Sequence, residues 1–97
     1  MSELRVVATI PAKPGSEDVI REALSTLVTA TREEDGCVSY DLFESAAAPG
    51  TFVTIESWRS QEDFDAHLQT PHIGEAFAVA TDHLAGEVAI HPLTPVS

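Results

Sequence analysis

The chain has 97 residues, enough for one domain (1–97) built on one core. Sixteen acidic against five basic residues give a formal charge of -11, which repels phosphate backbones and anionic membranes, so nucleic acid is not an expected partner. A single cysteine excludes an internal disulfide, and no apolar stretch approaches the roughly 20 residues that cross a bilayer; a cytoplasmic protein without a membrane partner is the expectation.

Leu4 to Ile10 is rich in Val and Ile and reads as a strand, ended by Pro11 and the Lys13-Pro14-Gly15 turn. Ser16 is placed to cap a helix whose first turn carries Glu17 and Asp18, where the helix dipole favours negative charge. Ile20, Leu24, Leu27 and Thr31, with Ala23 and Val28 beside them, form an apolar stripe at helical spacing. This helix closes near Arg32 to Asp35, with Gly36 in the place of a C-terminal glycine. The acidic run Glu33-Glu34-Asp35 opposes the dipole at that end, a conflict that calls for a specific partner of Glu34, Arg32 or a second subunit being the candidates.

Cys37 to Glu44 reads as a second strand, with Val38, Tyr40 and Leu42 on one face. The turn-prone run from Ser45 to Gly50 joins it to a third, Thr51 to Arg59, as an antiparallel hairpin. In that third strand Phe52, Thr54, Glu56 and Trp58 share one face, and Val53 and Ile55 the other. Ser60, followed three residues on by Asp63, marks a helix start in the capping-box pattern. Phe64, His67 and Leu68 then fall on one side of a short helix. A helix that starts directly after a strand folds back onto the sheet, so Glu56, Trp58 and His67 can line one pocket. Pro71 opens a third helix with Ile73, Phe77, Ala80 and Leu84 at its spacings, and Gly86 ends it. Glu87 to Leu93 alternates as a last strand, which Pro92 and Pro95 place at an edge.

This order matches an α+β, ferredoxin-like split β-α-β arrangement: a four-stranded antiparallel sheet with helices on one face. With no spare helix for the other face, the expected cover is the same sheet of a second copy, two sheets packing into a dimeric α+β barrel.

The segments TREEDGCVSYDLFES, from Thr31 to Ser45, and FVTIESWRSQEDFDAHLQTPH, from Phe52 to His72, carry Glu34, Gly36, Cys37, Tyr40, Glu56, Trp58, His67 and His72 in a spaced pattern. With the element order, that pattern resembles the antibiotic-biosynthesis monooxygenase family of small dimeric α+β barrel proteins, over nearly the whole chain. The resemblance implies cofactor-independent oxygenation of small aromatics, although the family also includes quinol oxygenases, haem-degrading enzymes and an isomerase. Haem-degrading and polyketide-type members use an asparagine, and this chain contains none. Haem degradation is therefore not expected, and a polyketide-type reaction would need a substituted residue.

Cofactor-free oxygenation requires a substrate that supplies an electron to dioxygen once deprotonated: a phenol, hydroquinone or anthrone. His67 is the expected base, since imidazole titrates near neutral pH. Glu56 is the candidate to hold that imidazole in one tautomer or to act as a base itself. Trp58 offers a flat wall and one N–H donor, Tyr40 a hydroxyl, and Phe64 and His72 contacts to the substrate. Each has a plainer reading, as core aromatics for Trp58 and Tyr40, a surface ion pair with Arg5 or Arg59 for Glu56, and surface histidines for His67 and His72. No cofactor and no metal are expected: a site of Glu56, His67 and His72 would need three separate elements to converge. His83 and His91 lack patterned neighbours and read as structural. An isomerase or other proton-transfer enzyme, or a non-catalytic small-molecule binding protein, would use the same pocket.

Overall fold

The computed structural model describes residues 3–97. Strand β1 (Leu4–Pro11) leads to helix α1 (Glu17–Thr31), the hairpin β2 (Cys37–Glu44) and β3 (Thr51–Trp58), helices α2 (Gln61–His67) and α3 (Pro71–Ala80), and strand β4 (Ala89–Leu93). The sheet runs β2-β3-β1-β4, every neighbouring pair antiparallel, which is the ferredoxin-like order expected. Strand β4 pairs only with β1 and is an edge, where Pro92, lacking an N–H, costs no interior ladder bond.

Two Pro-Gly turns set the connections around the sheet. Ser16 N donates to Lys13 O across Pro14-Gly15, and Thr51 N donates to Ala48 O across Pro49-Gly50. Both glycines have φ of 90°. Proline at the second and a positive φ at the third position is the type II arrangement, which glycine enters without a Cβ penalty.

One face of the sheet carries Val6, Ala8, Ile10, Tyr40, Phe52, Thr54, Glu56 and Trp58, all buried beneath the helices. Helix α1 lays Ile20, Leu24, Leu27, Val28 and Thr31 onto it, as the stripe requires. Full burial of residues such as Ile20 and Phe52 contributes about 1.5–3 kcal/mol each. On the opposite face Phe43 and Ile55 are exposed, and so is Leu93 of β4.

Local details depart from the sequence expectation. Strand β2 carries a bulge between Cys37 and Ser39. The extra residue, Val38, is exposed instead of sharing the buried side with Tyr40, and Cys37 packs inward in its place. Ser16 occupies the N-cap position of α1, but its hydroxyl meets His83 Nδ1 at 3.0 Å instead of capping the helix. Helix α3 ends at Ala80, short of Leu84, because the chain passes through a 3-10 turn (Thr81–His83) and Leu84 bridges to Ala12 beside β1. The ladder of β4 begins at Ala89, two residues later than the alternation suggested.

Gly36 has no positive φ, so the left-handed C-cap role does not explain it. A Cβ there would lie 2.3 Å from Cβ and Cγ of Asp63. The glycine is required by the close approach of the α1–β2 connection to the first turn of α2. Asp63 is itself held by the Ser60 hydroxyl, which accepts from its backbone N–H as an N-cap, and by Arg59 at 2.8 Å.

Candidate active site

The strand face and the first short helix converge as their spacing predicted. His67, on the last turn of α2, is 2% exposed and packs over Trp58 with ring centroids 4.5 Å apart. Tyr40 stands edge-on to Trp58 at 6.3 Å and 5.6 Å from the His67 ring, and Phe64 flanks both Trp58 and His67. An apolar cavity of about 30 Å³ lies between these rings and the helices, lined by Tyr40, Thr54, Glu56, Phe64 and His67 together with aliphatic groups of α1, α3 and β1.

The carboxylates divide the work differently from the sequence expectation. Glu56 does not hold His67. It accepts from Trp58 Nε1 at 2.9 Å and from Thr54 Oγ1 at 2.7 Å, so a buried carboxylate has both oxygens satisfied by its own strand. The indole N–H is thereby committed, and Trp58 lies behind the cavity lining instead of forming its wall. The imidazole partner is Glu34, in the turn after α1. Its Oε2 lies 2.7 Å from His67 Nδ1 and 2.7 Å from His72 Nε2. This resolves the charge conflict at the end of α1: the partners of Glu34 are two histidines, while Arg32 bonds Tyr40 O and Asp41.

A carboxylate oxygen only accepts, so both facing ring nitrogens carry protons, and in the neutral imidazole Nε2 of His67 is the nitrogen with the lone pair. His72, at the start of α3, is partly exposed and stays outside the cavity, in a groove between α1 and α3 beside Glu22 and Glu75. Burial raises the Tyr40 hydroxyl well above the usual phenol range, with the nearby Glu56 charge adding to it. Tyr40 is therefore a neutral hydroxyl, able to donate. Of the residues named from sequence, the structure brings Tyr40, Glu56, Phe64 and His67 to the cavity, places Trp58 behind it, and sets His72 at its flank. Glu34 is the functional candidate whose place was not assigned, and its signal was the unexplained acid at a helix C-terminus.

Fold and site together define a small α+β protein with a small, mostly apolar cavity beside a carboxylate–imidazole pair. The antibiotic biosynthesis monooxygenase model matches residues 4–79, and the chain belongs to that family. A Mycobacterium tuberculosis protein named "Putative monooxygenase Rv0793" is 37% identical over 95 residues, covering 98% of this chain and 93% of its own. Its solved structure superposes with a TM-score of 0.90 over 99% of this chain and 97% of that one. The Escherichia coli "Probable quinol monooxygenase YgiN" is 32% identical, covering 95% and 97% of the two chains. PA3566 from Pseudomonas aeruginosa is 30% identical, with a TM-score of 0.90 over all of this chain.

Proposed function

We propose that the protein is a cofactor-independent monooxygenase of a small electron-rich aromatic, a phenol, hydroquinone or anthrone, with dioxygen as co-substrate. The observation that carries this reading is the Glu34–His67 pair, 2.7 Å apart, at the side of an aromatic-lined cavity. Family membership and the quinol monooxygenase name of a relative support it.

In this reading Glu34 fixes the proton on Nδ1, and Nε2 of His67 removes the acidic proton of the substrate. The neutral Tyr40 hydroxyl donates to the developing oxyanion. The substrate anion passes an electron to dioxygen and combines with the reduced oxygen as a peroxide. For an anthrone, collapse of that peroxide leaves one oxygen in a new carbonyl and releases the other in water with the two hydrogens of the oxidised carbon. Trp58 acts through its neighbours, holding Glu56 and supporting the His67 ring, which makes it a positioning residue.

A cavity of about 30 Å³ is far below the ~150 Å³ that accommodates benzene, so binding of an aromatic requires the cavity to widen. The exposed face with Phe43, Ile55 and Leu93 supports a further part of the proposal, a homodimer in which two sheets cover each other.

The same pair would serve an enolisation equally well, and the competing reading is a proton-transfer enzyme or isomerase. Dioxygen uptake by chelator-treated protein with a panel of hydroquinones, naphthols and anthrones separates the two. Uptake above the uncatalysed rate that falls in the His67→Ala variant supports the oxygenase. Ligand binding without uptake across the panel would sink it in favour of proton transfer or simple binding.

A further inference from the structure

We propose that Glu34, His67 and His72 form a binding site for one divalent transition-metal ion, zinc being the probe of choice. Three elements, the turn after α1, the end of α2 and the start of α3, bring one carboxylate oxygen and two ring nitrogens within 4.8 Å of one another. Zinc bound at about 2.0–2.1 Å in tetrahedral geometry sets its ligand atoms about 3.4 Å apart, so the two histidine nitrogens must approach by about 1.4 Å at most while the Glu34 oxygen, now 2.7 Å from each, backs off by about 0.7 Å to admit the ion. The closure falls on the right partners. His67 is buried and clamped between aromatic rings, whereas the side chains of Glu34 and His72 are 16% and 23% exposed. His67 is thus the fixed ligand, and the partly exposed Glu34 and His72 are the two that adjust around the ion.

Imidazole and carboxylate donors suit zinc, nickel and copper and offer little to magnesium or calcium, which favour all-oxygen sets. The ligand set differs from the one considered from sequence. Glu56 is occupied by Trp58 and Thr54, and Glu34 takes its place.

The chemical consequence follows from the imidazole itself. Without metal, Nδ1 of His67 carries the proton shared with Glu34, which in the neutral ring leaves the lone pair on Nε2. A neutral imidazole bound to metal through Nδ1 carries its proton on Nε2 and no longer has a lone pair there. The metal would convert the other ring nitrogen, Nε2, from acceptor to donor. That this silences turnover rests on the reading of His67 as the base; the metal site itself does not.

The test is calorimetric titration of zinc into chelator-treated protein, with magnesium as the parallel arm, on the parent chain and on His72→Ala and Glu34→Gln variants checked for folding by circular dichroism. One equivalent of zinc per chain, weakened at least about tenfold in both variants, is expected, with no magnesium response. Nitrogen-15 spectra of the histidines should move the His67 proton from Nδ1 to Nε2 as zinc is added. Absence of stoichiometric binding, equal affinity in the variants, or an unchanged His67 tautomer would each overturn the proposal. Zinc binding with the tautomer change but without inhibition of dioxygen uptake would leave the site standing and remove His67 from the role of base.

Discussion

Glu34 and His67 are 33 positions apart in the chain and meet at 2.7 Å, carboxylate oxygen to Nδ1. The contact joins the turn after α1 to the last turn of α2, and it decides which nitrogen of His67 is basic. Replacing Glu34 by Gln keeps the size and removes the charge, and lets the amide N–H donate to Nδ1, which favours the wrong tautomer. Turnover of whichever aromatic proves active should fall on the order of 10²-fold or more, in kcat more than in KM. Unchanged kcat in Glu34→Gln would remove the pair from the mechanism.

Gly36→Ala should be among the most damaging small substitutions available to the fold. The added methyl meets backbone-anchored atoms of Asp63 at 2.3 Å, not the far end of a flexible chain. A loss of about 1–3 kcal/mol is expected, read from the midpoint of urea unfolding. A midpoint equal to that of the parent would show that the α2 start can shift freely.

Thr31→Val should stabilise. Thr31 is fully buried on α1, and among the described residues its Oγ1 is the one buried side-chain nitrogen or oxygen without a hydrogen-bond partner. Valine has nearly the same shape and removes an unsatisfied hydroxyl, worth about 1 kcal/mol. A lower melting temperature would mean that the hydroxyl has a partner in solution.

The Cys37 thiol is pushed up to about 11, first by burial and then by the charge of Glu34 and further carboxylates. A raised value means that the reactive thiolate is scarce below that pH. Alkylation by iodoacetamide, followed by mass spectrometry, should therefore be slow at pH 8 in the folded chain, fast in urea, and should rise steeply as the pH approaches 11. Equal rates in folded and unfolded protein would contradict it.

Much of the architecture was legible because hydrophobic periodicity reports directly which side of an element is buried. The stripe from Ile20 to Thr31 and the alternation Phe52, Thr54, Glu56, Trp58 gave α1 and β3 the correct faces. Side-chain partners were less legible. Glu56 and His67 share the pocket, but spacing cannot say that the indole two residues along would take the Glu56 carboxylate. Glu34 betrayed itself only as a charge in the wrong place on a helix, and its partners lie in α2 and α3, beyond the reach of any local pattern. The Val38 bulge and the bare Cα of Gly36 likewise appear only at the tertiary level, the first in the register of β2 on β3 and the second in the close approach of Asp63.

Trp58 is the single tryptophan of the chain, fully buried, with its N–H on Glu56 and its ring against His67. Intrinsic fluorescence is therefore an undiluted signal from this one place. Protonation of the adjacent imidazole, occupation of the neighbouring ligands or entry of an aromatic guest would each alter the emission of one fluorophore. The protein can be interrogated at its pocket, in dilute solution and without any label, by light alone.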